Sequence, residues 1–185
     1  LRAYLRDGAK FIEELKSIPS EVSEEDKKGR RDLTNEVIFT IDGDDTKDID
    51  DAISIEKLEN GNYKLGVHIA DVSYYVKENS PLDEEALSRG TSVYLVDRVI
   101  PMLPHKLSND LCSLNEKTPK LVMACLMEIN NNGDVVNYEI KEAVIETKHR
   151  MSYTNVNKII DNDLEIKEKY KDIVNDVILM NKVAH

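Results

Sequence analysis

The feature that most constrains this chain is a dense run of aspartates between two β-like segments. Six of the ten residues from Asp42 to Asp51 are aspartates, and with only Lys47 to offset them the run has a formal charge of −5. Carboxylates this close repel one another, and each charged neighbour makes ionisation of the next more costly. Apolar residues 37–39 precede the run and residues 52–55 follow it. This context favours a cation site at the edge of a sheet over a loose acidic loop.

Four of these carboxylates can converge if the chain turns back between two strands of one sheet. The pattern predicts that Asp42 ends the first strand, that Asp48 lies in the loop, and that Asp50 and Asp51 open the second strand. In a regular strand Asp50 and Asp51 point to opposite faces, so one site needs an irregular backbone or two ions. Oxygen ligands alone suit Mg²⁺ or Mn²⁺ rather than zinc. Two such ions with open positions for phosphate can hydrolyse a phosphodiester bond.

Calcium binding and simple solvation are the alternatives for this loop. An EF-hand needs Gly at loop position 6 and Glu at position 12. Starting at Asp42, these positions hold Lys47 and Ile53. Starting at Asp48, they hold Ile53 and Glu59, so neither register fits. An acidic loop that is simply solvated remains open on composition alone.

The composition limits the class of protein. A chain of 185 residues with 41% hydrophobic content can form one sizeable core or part of a larger one. It contains no apolar stretch of about 18 residues and no signal-peptide pattern, so we expect no membrane association. Cys112 and Cys125 are isolated and lack zinc-ligand spacing, which predicts a reduced, cytoplasmic protein.

The net charge of −11 argues at first sight against a nucleic-acid partner. The objection is weakened because the aspartate run alone contributes −5, and bound divalent ions would cancel much of that. Any polyanion would still need basic surface from elsewhere.

Both ends of the sequence also suggest an excised piece of a longer polypeptide, since it begins at Leu1 and stops at His185 within a predicted helix.

The hydrophobic pattern predicts an α+β fold with a largely antiparallel sheet and flanking helices. Predicted helices cover residues 1–16, 82–89 and 164–185. Predicted strands cover residues 37–41, 53–55, 63–69, 91–96, 121–129 and 135–145. Turns at Asn60-Gly61-Asn62 and at residues 131–134 predict two hairpins. Pro101 and Pro104 predict an irregular run that continues to Leu114.

Four motifs follow one another along the chain. They are Thr40-Ile41-Asp42-Gly43 with Asp48-Ile49-Asp50-Asp51-Ala52, then His68–Ser73, Arg89–Tyr94, and Ile100–Pro104 leading to Leu107–Leu114. Together with Arg31-Asp32-Leu33 they resemble the catalytic (RNB) domain of the ribonuclease II/ribonuclease R family, and ribonuclease R more than ribonuclease II. The resemblance covers about residues 31–185, the amino-terminal part of that domain. Residues 1–30 are then expected to be an N-terminal helix and linker leading into it.

The resemblance implies a processive 3′→5′ exoribonuclease that hydrolyses single-stranded RNA to nucleoside 5′-monophosphates. It implies Mg²⁺ as the cofactor, with Mn²⁺ as a possible substitute. Asp44 and Asp45 occupy variable positions and are expected to be solvated. By motif position, the family's four catalytic and metal-binding aspartates fall on Asp42, Asp48, Asp50 and Asp51.

Two tyrosines match substrate-binding positions of the same family. Tyr94 matches a tyrosine near the RNA 3′ end that helps to set the length of the final product. Tyr153 matches one that contacts the terminal nucleotides and helps to favour RNA, so no DNA partner is expected. Without the resemblance, a tyrosine such as Tyr94 on a strand is more often a packing residue. We interpret His68 and Asp71 as structural and assign no role to His105.

The departures from the family pattern limit what this piece can do. The family's catalytic domain is longer, and its later half supplies a catalytic arginine, a glutamate at the ribose and an aromatic residue that stacks on the RNA end. Complete members also carry cold-shock and S1 RNA-binding domains. We therefore expect a piece that carries the carboxylate ligands without being a competent nuclease. The alternative, from a different class, is a non-catalytic module whose acidic loop binds a divalent cation or a basic protein.

Overall fold

The computed structural model describes residues 8–184, which form a seven-stranded sheet with flanking helices and a separate two-stranded hairpin. The strands of the sheet are β1 (Arg31–Asp32), β2 (Phe39–Asp42), β3 (Asp51–Lys57), β4 (Tyr63–Ala70), β7 (Pro119–Ile129), β8 (Val135–Glu146) and β9 (His149–Ser152). The hairpin consists of β5 (Val93–Tyr94) and β6 (Val99–Ile100). The helices are α1 (Gly8–Ser17), α2 (Val72–Tyr75), α3 (Pro81–Arg89), α4 (Tyr153–Ile160), α5 (Leu164–Lys169) and α6 (Val174–Val183), with a π-helical segment at Lys106–Leu111.

The strand order across the sheet is β1-β8-β7-β4-β3-β2-β9. Pairing is antiparallel from β8 through β2, so the predicted α+β class with a largely antiparallel sheet is confirmed. Both predicted hairpins, β3–β4 and β7–β8, are present. At the edges, β1 pairs parallel with β8, and β9 pairs parallel with β2. The second of these pairs places Ser152 opposite Asp42, although the two residues are far apart in sequence.

Two hydrophobic cores hold the helices to the sheet. The first packs α1, α3 and the π-helical segment against the sheet, and Ile38, Ile49 and Ala52 belong to it. The second packs α4, α5 and α6 around Phe39 and Met151. Consecutive residues Ile38 and Phe39 therefore enter different cores, as expected where a strand is covered on both faces.

The predicted helix over residues 164–185 is wrong in its continuity, because the chain forms two helices, α5 and α6, with a break at residues 170–173. The break turns two apolar side chains, Tyr170 and Ile173, into the second core. Between them, the Asp172 carboxylate lies 2.6 Å from His149 Nε2 on β9. These tertiary contacts stabilise the break, so the helix does not continue through residues 170–173. The last predicted residue, His185, lies outside the described residues.

Other boundaries also differ from the sequence prediction. The predicted helix over residues 1–16 is present from Gly8 onward, and its earlier part lies outside the described residues. The predicted strand over residues 91–96 is reduced to the two residues of β5, and helix α4 was not predicted. Ser152 caps the amino-terminal end of helix α4, because its hydroxyl accepts a hydrogen bond from the Asn155 N–H. Within residues 8–184, no helix has the length and apolar character needed to cross a membrane.

Two polar residues of the His68–Ser73 motif, His68 and Asp71, have structural roles, as we interpreted them from the sequence. His68 is fully buried, its Nε2 lies 3.1 Å from Ser54 Oγ, and burial lowers its pKa to about 4. A Cβ at Gly66 would lie 2.3 Å from Ser54 Oγ, so only glycine leaves room for this pair. Asp71 caps α2 and forms a buried ion pair with Arg30 at 2.7 Å.

Candidate functional site

The aspartate loop, residues 43–50, joins the end of β2 to the start of β3. Asp42 is the last residue of β2 and Asp51 is the first residue of β3, as the sequence predicted. The two strands are antiparallel neighbours, so both ends meet at one end of the sheet. Asp50 lies just before β3 rather than within it. The strict alternation of a strand is therefore not imposed on Asp50 and Asp51, and both can face a common site.

Ile49 holds the second half of the loop. Its side chain is fully buried in the first core, and its carbonyl accepts the Leu114 N–H at 2.8 Å. The buried Ser113 hydroxyl accepts the Ile49 N–H at 3.1 Å and donates to the carbonyl of Lys47 at 2.9 Å. Asp48, the residue before Ile49, remains partly exposed. The segment that follows the π-helical turn therefore fixes the backbone between the aspartates.

Asp42 has the environment of a carboxylate that needs a cation or a proton. Its Oδ2 is buried and has no hydrogen-bond partner among the described residues. Burial raises the pKa of Asp42, repulsion from Asp51 raises it further, and the nearby Arg150 lowers it. An ionised oxygen that is shielded from water and lacks a donor is costly. This orphaned oxygen fits a site for a hard cation.

Asp50 is coupled to the same charges. Its partial burial raises its pKa, and repulsion from Asp48 and Asp51 adds to the increase. The pKa of Asp42 is raised to a lesser extent by Asp50 and Asp48. Asp48, Asp50 and Asp51 therefore all raise the pKa of Asp42, and a cation that neutralises them would make Asp42 easier to ionise.

Asp48 is held by Tyr94, one of the two predicted substrate-binding residues. The Tyr94 hydroxyl donates to Asp48 Oδ2 at 2.5 Å, and this hydrogen bond raises the pKa of Tyr94. The Tyr94 side chain is 63% exposed. It lies between a cleft of about 680 Å³ beside the loop and one of about 440 Å³ beside Asp50, and both clefts are lined by Asp48. The tyrosine thus joins the β5–β6 hairpin to the aspartates.

Tyr153, the second predicted substrate-binding residue, is the first residue of α4 and is 61% exposed. It directly follows Ser152, which pairs opposite Asp42, so both tyrosines lie at the end of the sheet that carries the loop. The neighbouring Thr154 hydroxyl donates to Asp44 Oδ2 at 3.3 Å. Asp44 is exposed but has this partner, whereas it was expected to be only solvated.

The aspartates do not form a ready-made ligand cage. Within the described part of the chain, no three acidic, histidine or cysteine side chains lie close enough together to hold a metal ion as they stand. The Asp48 carboxylate is turned towards the Tyr94 hydroxyl. Cation binding here therefore requires rearrangement of side chains, and the assignment of the four ligands remains a prediction.

Sequence reasoning missed two residues that shape the site, Ser113 and Arg150. Arg150 Nη2 donates to the loop carbonyl of Asp44 at 3.2 Å and also to that of Thr46. Ser113 lies inside a recognised motif, but no sequence signal shows which backbone groups its hydroxyl binds. Both contacts join segments that no local pattern connects.

Comparisons with known proteins agree with this description. The family model of the RNB domain matches residues 30–185. Over 174 residues the chain is 52% identical to ribonuclease R 1 of Lactococcus lactis, covering 94% of this chain and 21% of that protein. It is also 52% identical to ribonuclease R of Thermotoga maritima over 174 residues, covering 93% of this chain and 24% of that protein. The chain thus spans only about a fifth to a quarter of these relatives.

A solved structure shows the same fold. Mycoplasma genitalium RNase R in complex with ribose methylated single-stranded RNA matches with a TM-score of 0.77 and 33% identity. The match covers 93% of this chain and 28% of that one. The resemblance inferred from the motifs is confirmed by the family match, by these relatives and by this structure. The chain therefore belongs to the RNB domain family.

Proposed function

We propose that this chain is the amino-terminal part of the catalytic domain of a processive 3′→5′ exoribonuclease. The reaction is hydrolysis of single-stranded RNA to nucleoside 5′-monophosphates. The observation that carries the proposal is geometric: Asp42 and Asp51 lie at adjoining strand ends with Asp48 and Asp50 in the loop between them, and the buried Asp42 Oδ2 has no hydrogen-bond partner among the described residues. Membership of the RNB domain family supports the reaction class. The single-stranded RNA in the M. genitalium RNase R structure supports the substrate class.

The four aspartates are the residues that would hold Mg²⁺, or Mn²⁺ in its place. Carboxylate oxygens are the preferred ligands of both ions, and the unpartnered Asp42 Oδ2 offers one directly. When bound, such an ion neutralises phosphate charge and activates water for attack. The chain's own contribution is to hold the carboxylates near one another at the end of a rigid sheet.

The two tyrosines are proposed to bind the RNA end. Each exposes more than half of its side chain beside the loop. Stacking of a base on an aromatic ring contributes about 1–3 kcal/mol, so two rings can hold a terminal nucleotide. Tyr94 also orients Asp48 through its hydroxyl, which links the position of the RNA end to the position of a proposed ligand. Preference for RNA over DNA is proposed to involve Tyr153.

The isolated piece is proposed to be inactive. A net charge of −11 does not provide the basic channel that RNA requires. We propose that activity needs the remainder of the catalytic domain, together with cold-shock and S1 RNA-binding domains. We also propose a cytoplasmic location, which suits the free thiols of Cys112 and Cys125.

Two measurements test this function. Titration of the chain with Mn²⁺, followed by paramagnetic broadening of NMR signals, is expected to broaden signals around Asp42, Asp48, Asp50 and Asp51. Broadening centred elsewhere contradicts the proposed site and favours a non-catalytic acidic module. In a ribonuclease R polypeptide that carries this segment, Asp50→Asn is expected to reduce mononucleotide release at least about a hundredfold with RNA binding intact. Loss of RNA binding instead assigns Asp50 a structural role.

A further inference from the structure

Arg150 reaches the aspartate loop from the strand beside it. It lies on β9, opposite Thr40 of β2 in the parallel register. Its backbone N–H donates to Glu116 Oε2 at 3.2 Å, which holds the strand at this point. Its guanidinium Nη2 donates to the backbone carbonyls of Asp44, at 3.2 Å, and of Thr46. Both acceptors belong to the first half of the loop.

The choice of acceptors is unusual for an arginine beside so many carboxylates. Within the described residues Arg150 forms no salt bridge, and its guanidinium donates to the neutral backbone carbonyls of Asp44 and Thr46. Because it uses no carboxylate oxygen, the aspartates stay available, and Asp42 Oδ2 is one that has no partner. The guanidinium has a rigid planar set of donors, which suits two carbonyls whose positions must be maintained.

The loop is therefore held at two places. Arg150 holds the turn in which the Thr46 N–H donates to the Gly43 carbonyl at 3.2 Å. Ser113 holds the second half through the Lys47 carbonyl and the Ile49 N–H. The proposed ligand Asp48 lies between the two backbone groups that Ser113 holds, and Asp42 lies just before the part of the loop that Arg150 holds. Loss of either attachment would release one side of the carboxylate group.

We propose that Arg150 is a positioning residue, which holds the aspartate loop in the shape that binds a divalent cation. The inference rests on the proposed metal function of the loop. The hydrogen bonds of Arg150 to the loop and its positive charge are expected to affect cation binding in opposite directions. A positive charge beside a cation site repels the cation, so removing the charge alone would tighten cation binding. Removing the hydrogen bonds by which Arg150 holds the loop backbone would weaken cation binding.

The sign of the change therefore decides the question. Mn²⁺ affinity is measured by titration calorimetry on the 185-residue chain and on the variants Arg150→Met and Arg150→Lys. Arg150→Met is expected to weaken binding about 10- to 100-fold, as loss of an outer partner of a metal ligand does. Arg150→Lys keeps the charge and some of the donors, so it is expected to recover part of the affinity. Equal or tighter binding by Arg150→Met overturns the proposal.

Arg98→Met is the matched control. Arg98 is exposed, pairs with Asp97 at 2.9 Å, and lines the cleft beside the loop without holding the loop backbone. Its removal takes away one nearby positive charge, so Mn²⁺ binding is expected to stay the same or become tighter. Weakening of the same size as in Arg150→Met would mean that Mn²⁺ binding responds to any substitution beside the cleft rather than to loss of the loop contact, and would overturn the proposal.

Hydrogen exchange separates this inference from the metal function. Without any metal, Arg150→Met is expected to speed exchange of the amides of residues 43–48 about tenfold or more, at unchanged exchange in the central strands. Unchanged hydrogen exchange of the loop amides would overturn the proposal that Arg150 holds the loop. If the native chain binds no Mn²⁺, the proposed metal function fails, and the exchange result still decides whether Arg150 holds the loop. Circular dichroism of each variant verifies that the fold is retained.

Discussion

The aspartate loop and the β7–β8 hairpin both reverse the chain between neighbouring strands, but they are held in different ways. The hairpin pairs from Pro119 opposite Glu146 to Ile129 opposite Val135, with one shift of register between Glu128 and Ile129. Its turn is closed by Asn130, whose side-chain oxygen accepts N–H groups two and four residues ahead. The contacts that close the turn are all close in sequence. Residues 135–142 of β8 are exposed to solvent, so few packing contacts restrict their side chains.

The aspartate loop depends instead on distant parts of the chain. Ser113 bonds the Ile49 N–H across 64 residues, and Arg150 bonds the Asp44 carbonyl across 106 residues. The six aspartates from Asp42 to Asp51 repel one another, so the loop cannot be held by local pairing alone. The difference teaches that a turn crowded with like charges needs donors from elsewhere in the fold, whereas a regular hairpin supplies its own.

The largest expected effect is at the apolar anchor of the loop. Ile49→Ala removes a fully buried side chain and is expected to destabilise the chain by about 2–5 kcal/mol. The matched variant Ile140→Ala lies in the hairpin, where the side chain is 57% exposed, and its effect is expected to stay within about 0.5 kcal/mol. Urea unfolding followed by circular dichroism measures both. Equal losses would remove the contrast between the two regions.

The next effect concerns the strands between these two regions. Burial lowers the pKa of His68 to about 4 in the folded chain, below the usual value of 6.5. The unfolded chain binds more protons between these values, so stability is expected to fall by about 3 kcal/mol as the pH drops from about 6.5 to about 4. His68→Gln is expected to remove this part of the pH dependence. Urea titrations at several pH values measure the free energy of unfolding of both chains. An unchanged dependence of this free energy on pH in His68→Gln would show that His68 is protonated in the fold.

A smaller pair of effects compares the polar groups that hold each turn. Ser113→Ala leaves the Ile49 N–H and the Lys47 carbonyl without their buried partner, at an expected cost of about 1–3 kcal/mol. Asn130→Ala removes three side-chain hydrogen bonds from an exposed turn where water can replace them, so we expect a loss of about 0.5–1 kcal/mol. Thermal unfolding of both variants provides the measurement. A larger loss for Asn130→Ala would reverse the comparison.

The fold could be predicted from sequence wherever local periodicity reports burial. The alternation around Phe39 and Ile53, the turn at Asn60-Gly61-Asn62 and the proline at the start of α3 all lie where the pattern predicts. Asp42 and Asp51 lie at the predicted strand ends, whereas Asp50, predicted to open the second strand, lies just before it. The continuous helix over residues 164–185 failed because its apolar residues repeat as a helix would, while the second core draws Tyr170 and Ile173 in through a turn.

The sequence by itself determined the class of fold, the family and the place of the acidic loop, because these depend on residue order and local spacing. Tertiary structure alone decided how the loop is held. The parallel pairing of β9 with β2 brings Arg150 to the loop, and the segment after the π-helical turn brings Ser113 to it. Such contacts depend on the shapes of distant segments that meet only once both cores have formed, and periodicity within a short window carries no information about them.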